Sequence, residues 1–233
     1  MMDVNQTEEE QVESIKKWWA ENSRSIIFGV GFGLISIFGW QSWKDWNHTQ
    51  TIQASDSYQQ LVKSMKESKY DAALLLADEI DNTYSATPYA ALAGLQKARA
   101  LIETGDRKAA IDTLEKVAAS ADNNSIQHIA RIRSLRLRIG DGQMEDVIAA
   151  IDSVINEENG VNPGEFIGQY EALKGDAYRL LGDVEKARLG YIGALGTATL
   201  DRRLIQLKLD DLGPPPASFA NTTESANNAE AEK

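Results

Sequence analysis

Leu173–Arg188, LKGDAYRLLGDVEKAR, is the stretch that decides the fold. It reads as the end of one helix, a Gly182-Asp183 turn, and a second helix with a small residue, Ala187, near its start. Glycine supplies the left-handed backbone that ends a helix, and aspartate caps the next one. The pattern recurs along the chain. Taking Ser68, Gly105, Gly142 and Gly182 as register marks, Ala73, Ala110, Val147 and Ala187 each follow their mark by the same interval. Tyr58, Leu95, Ile132 and Ala172 precede them at a second fixed interval, and Gly105-Asp106, Gly140-Asp141 and Gly182-Asp183 supply turn dipeptides.

A repeat of helix, tight turn and helix at this period is the organisation of a tetratricopeptide-type unit, slightly stretched. Thr87-Pro88 and Asn162-Pro163 each offer a cap residue followed by proline at a first helical position. Helix pairs are expected at 52–67/69–82, 88–103/107–120, 125–139/144–156 and 164–181/184–195. A last helix over 199–212, with Leu200, Leu204 and Leu207 on its packing face, is expected to cap the array and stop at Gly213. Residues 213–233 begin with prolines, continue with small polar residues, and are expected to be disordered.

Upstream of the repeats, Ser25–Trp43 is uncharged, and all five tryptophans (Trp18, Trp19, Trp40, Trp43 and Trp46) cluster around it. Indole rings favour the headgroup levels of a bilayer, and this length of helix rises about 28 Å, close to one hydrocarbon thickness. The expectation is an uncleaved transmembrane helix over 25–43 with the tryptophans as interface anchors, followed by a linker at 44–50. The acidic lead argues against a signal peptide, whose first region is basic. Lys16, Lys17 and Arg24 before the span outnumber the single nearby base after it, Lys44, placing residues 1–24 in the cytoplasm and 51–212 outside. Thr7-x-x-Glu10 matches a capping box for a short amphipathic helix in that lead. Gly29 and Gly33 share one face of the span and form a candidate docking face for a partner helix.

Chemistry-bearing patterns are sparse. His48 and His128 have no companions at metal-ligand or triad spacing, and the chain contains no cysteine. The glycines of 29–33 lie in the apolar segment with no strand before them, so they do not read as a phosphate loop. A net charge of −11 opposes nucleic-acid binding, which requires neutralised phosphates. The expectation is a non-enzymatic protein with no metal and no cofactor. One basic exception is Arg131, Arg133, Arg136 and Arg138, read either as inter-repeat ion-pairing groups or as a partner-binding stripe.

The lead EEEQVESIKKWWAENSRS, the glycine-rich span closing at Gly39-Trp40, the block YDAALLLADEIDNTYSATPYAALAGLQKARALIETGDRKAAIDTLEKV and LKGDAYRLLGDVEKAR together resemble the YfgM-type ancillary subunits of the bacterial SecYEG translocon. The resemblance covers nearly all of residues 8–212. It implies an all-α protein: one N-terminal transmembrane helix in the bacterial inner membrane, then a periplasmic tetratricopeptide-like helical-repeat solenoid. It further implies association with the SecYEG translocon and with a PpiD-type periplasmic chaperone, assisting secretory chains as they emerge. A membrane-tethered scaffold regulating an envelope-stress or signalling factor is the alternative.

Overall fold

The computed structural model describes residues 8–157, 160–197 and 201–214, without the side chains of 8–10 and 26. Thr7 and its capping box, Leu200, and the tail from residue 215 lie outside the described residues. All regular elements among them are helical: α1 (Glu8–Lys66), α2 (Tyr70–Thr83), α3 (Pro88–Glu103), α4 (Arg107–Ser120), α5 (Asn124–Gly140), α6 (Met144–Ile155), α7 (Ile167–Leu180), α8 (Val184–Leu195) and α9 (Arg202–Asp211). Two compact units divide the chain, Met1–Asp56 and Ser57–Lys233, so the last turns of α1 belong to the second.

Four identical turns generate the repeats. Ser68, Gly105, Gly142 and Gly182 all adopt positive φ, at 56°, 89°, 81° and 80°. At each turn the next residue's N–H bonds back to a carbonyl five residues earlier: Lys69 to Ser64, Asp106 to Leu101, Gln143 to Arg138, Asp183 to Tyr178. The left-handed residue's own N–H reaches a carbonyl three back, completing a Schellman motif. Asp106 and Asp183 then cap the following helix, accepting from Ala109 and Lys186 backbone N–H groups at 3.0 and 3.1 Å. Lys69 and Gln143 hold the equivalent place in the other two repeats and make no side-chain cap.

Behind each turn the same register positions are buried. Ala73, Ala77 and Ile80 in α2 correspond to Ala110, Leu114 and Val117 in α4, to Val147, Ile151 and Val154 in α6, and to Ala187, Tyr191 and Ala194 in α8. Seven residues before each left-handed residue, Leu61, Ala98, Leu135 and Gly175 face them. Each pair thereby buries one apolar stripe against its partner and passes a second to the next pair. Helices α7 and α8 approach backbone to backbone, where a Cβ on Gly190 would stand 2.8 Å from the backbone nitrogen of Gly175 and 2.9 Å from the Glu171 carbonyl.

Three expectations are corrected. The face of α9 that packs is Ile205 and Leu209, whereas Leu204 and Leu207 are more than half exposed. The reason is spacing: Ile205, Leu209 and half-buried Leu212 recur every three to four residues and so share one side. Asn162 does not start a full helix; its side chain accepts from the Gly164 N–H at 2.8 Å and leads into a single 3-10 turn, Gly164–Phe166, before α7 begins. Thr87 stands at the N-cap of α3 with Pro88 behind it, but its hydroxyl donates to the Tyr84 carbonyl instead of accepting from the helix.

Candidate partner-binding surfaces

In the first unit, α1 turns its apolar residues outward on every side. Phe28, Phe32, Ile35, Phe38 and Trp40 are each about two-thirds to three-quarters exposed, and Trp18, Trp19, Trp43 and Trp46 are more than half exposed. Exposed apolar surface of this extent is the kind that marks a membrane-contacting or partner-contacting site. The helix bends by 43° between Gln11–Ser25 and Ile27–Lys66. No single helix among the described residues is long and apolar enough to cross a membrane; the bent pair passes together by length and composition. The expected span over 25–43 is therefore not confirmed as one straight helix, because its first residues sit at the bend. The straight apolar part, 27–43, rises about 25 Å. Gly29 and Gly33 remain open notches, with nothing within 4 Å of a Cβ built on either.

In the second unit a groove of about 750 Å³ lies along α3 between α2 and α4. Its floor is small-residue backbone, Ala90, Ala91 and Gly94, and its rims carry ion pairs, Lys97 to Asp78 at 2.5 Å and Lys116 to Asp81 at 2.6 Å. A second groove, about 340 Å³, runs along α5 between α4 and α6 and is lined by Arg131, Ser134, Arg138 and Glu115.

The four arginines of α5 do not form one stripe. Arg138 is held in the smaller groove by Gln143 at 2.9 Å, with Glu115 and Asp146 at 3.7 and 3.9 Å. Arg131, one heptad earlier, turns to the same side, and its Nη1 is enclosed without a hydrogen-bond partner. Arg133 and Arg136 point away from both and are exposed. Arg138 thus faces acids of the two neighbouring helices, whereas Arg131 makes no ion pair among the described residues.

His128, unremarkable in sequence, is buried between α5 and the segment before α7. Its Nδ1 lies 2.8 Å from the Tyr170 hydroxyl and its Nε2 lies 3.1 Å from the Asn162 carbonyl. The carbonyl only accepts, so Nε2 carries the proton and Nδ1 accepts from Tyr170. The ring stacks on Phe166 at 5.0 Å. Burial, and secondarily the positive Arg131 nearby, push the His128 pKa below its ordinary 6.5. Burial also raises the Tyr170 phenol. Both shifts favour neutral rings, whose hydrogen bonds tie the loop before α7 to α5. Tyr191 is likewise raised, by burial and by its hydrogen bond to Asp176, and Asp176 in turn holds Lys208 of α9. Among the described residues no three His, Asp or Glu side chains are placed to hold a metal ion.

Stacked helix pairs with open grooves define a helical-repeat scaffold, a class of protein that works by holding other chains. The chain belongs to the tetratricopeptide repeat-like domain family, whose pattern matches residues 16–214. It is also similar to three proteins each named ancillary SecYEG translocon subunit. The Aggregatibacter actinomycetemcomitans protein is 29% identical over 88% of this chain and 97% of its own length. The Escherichia coli K12 protein is 26% identical over 91% and 99%, and the Haemophilus influenzae protein 24% identical over 88% and 97%. The likeness to YfgM-type subunits read from the sequence agrees with those names.

Proposed function

We propose that the chain is a non-enzymatic accessory protein of the Sec translocon. Together with a membrane-anchored periplasmic chaperone of the PpiD type, it assists secretory and outer-membrane proteins leaving the channel. The observation that carries this reading is the near full-length similarity to three proteins bearing the translocon-subunit name. The exposed aromatic band of α1 supports a single anchor over 25–43, with 1–24 in the cytoplasm and the repeats of 51–212 in the periplasm. The open face at Gly29 and Gly33 is where a channel helix would approach closely. The repeat grooves offer surfaces for the chaperone or for emerging chains.

Photo-crosslinking tests the reading directly. A photoreactive residue at position 29 or 33 is expected to capture a channel subunit, and one lining the α3 groove to capture the chaperone or a nascent secretory chain. Capture of neither kind in intact membranes would refute the role. Protease is expected to digest the repeats only after the outer membrane is opened. Deletion of the helix at 7–22 that alters a transcriptional response while secretion is untouched would instead favour the signalling scaffold.

A further inference from the structure

We propose that Arg99, Arg133 and Arg136 form a docking face for an extended acidic segment of a partner protein. The inference goes beyond the translocon role and does not require it. Arg99 stands six residues before the left-handed Gly105, and Arg136 stands six before Gly142, so they occupy one register position in consecutive repeats. Their neighbours Ala98 and Leu135 are the buried contact residues of that register, which puts both arginines on the same side of their helices. Helices α3 and α5 both pack on α4 and touch one another at a few positions.

All three arginines are exposed, and among the described residues none makes an ion pair or hydrogen bond. That is unusual for this chain, whose other bases in the middle repeats are mostly engaged: Lys97 with Asp78, Arg107 with Asp141, Lys116 with Asp81, and Arg138 with Glu115. A protein of net charge −11 has acids to spare, yet these cations are left unneutralised. The equivalent residue in the last repeat, Asp176, is held by Lys208 and Tyr191 and so does not compete. Glu103, one turn beyond Arg99, is exposed and unpaired.

Packed helices lie about 10 Å apart. An extended peptide rises about 3.3 Å per residue, so carboxylates about three residues apart would reach from one helix to a neighbour at that spacing. Arg133, one turn from Arg136, adds a second contact. Guanidinium groups bind carboxylates through paired, charge-assisted hydrogen bonds, and clustered arginines are the usual readers of acidic motifs.

The test uses the full chain in nanodiscs of phosphatidylcholine, so that no anionic lipid competes. A fluorescent peptide of about twelve residues with glutamate at every third position is titrated by anisotropy, at low salt so that screening is weak. The same peptide with glutamine is the control. The glutamate peptide alone is expected to bind, and R99Q/R136Q to weaken it about tenfold. K108Q/R203Q, which removes the same charge at two exposed bases elsewhere, is expected to change affinity less than about twofold. R99E/R136E is expected to exchange the preference for a lysine peptide, showing that the variant face is folded. Equal weakening by both glutamine pairs, or no discrimination between the glutamate and glutamine peptides, overturns the proposal. Tightening on removal of residues 215–233 also overturns it, since the occupant would then be the chain's own tail.

Discussion

Trp40 and Tyr191 are both large aromatic residues on helices, yet Trp40 is 66% exposed and Tyr191 is fully buried. The difference runs through the two units. In the repeats, apolar side chains recur at fixed distances from each left-handed turn and close on their neighbours. Along α1 they surround the helix with no such period and stay exposed, even where Trp40 and Trp43 lie ring to ring at 5.3 Å. One set obtains its apolar surroundings from the fold, and the other needs them from outside. Substitutions in the two regions should accordingly register in different measurements.

The largest expected effect is Tyr191→Ala, which empties a site packed by Ala172 and Ala187 and removes the hydroxyl held by Asp176. Urea unfolding of the repeats should show a loss of about 3–5 kcal/mol. Gly190→Ala should cost about 1–3 kcal/mol, since its new methyl group meets the backbone of α7 and not a yielding side chain.

Acidification should have a smaller effect. His128 is held neutral with its pKa below 6.5, so the unfolded chain takes up the proton first. Its contribution is complete above the unfolded pKa and drains away as pH falls from there towards the folded value. Unfolding midpoints measured from neutral to mildly acidic pH should decline, and His128→Gln should flatten that decline. Ser68→Gly should stabilise the first turn by about 0.5–1 kcal/mol, because serine carries a Cβ at φ 56°. Trp40→Ala should leave repeat unfolding within about 0.5 kcal/mol while weakening retention of the full chain in lipid vesicles. A large destabilisation of the repeats by that substitution would break the contrast.

Much of the repeat unit is legible in the sequence because its period is short-range. Gly105, Gly142, Gly182 and even Ser68 mark turns by their place relative to the small residues that follow. What escapes is whatever depends on meeting across that period. His128 and Tyr170 are separated by an entire hairpin, and nothing local in either predicts a hydrogen bond. The arginines of α5 look continuous in sequence, but helical rotation sends Arg131 and Arg138 one way and Arg133 and Arg136 the other. In α9 an isoleucine among leucines sets the packing side, so counting leucines alone selects the wrong stripe. The bend beside Ile27 has no proline to announce it.

The contact of Gly190 with Gly175 has a consequence for how freely the hairpins can shift. Here two helices touch main chain to main chain, with no layer of rotatable groups to cushion them. Such a hairpin has little freedom to slide, because a change of register would drive a side chain into the facing backbone. The earlier hairpins meet through Leu, Ile and Val side chains as well as alanines, and those side chains can take up a small displacement by changing rotamer.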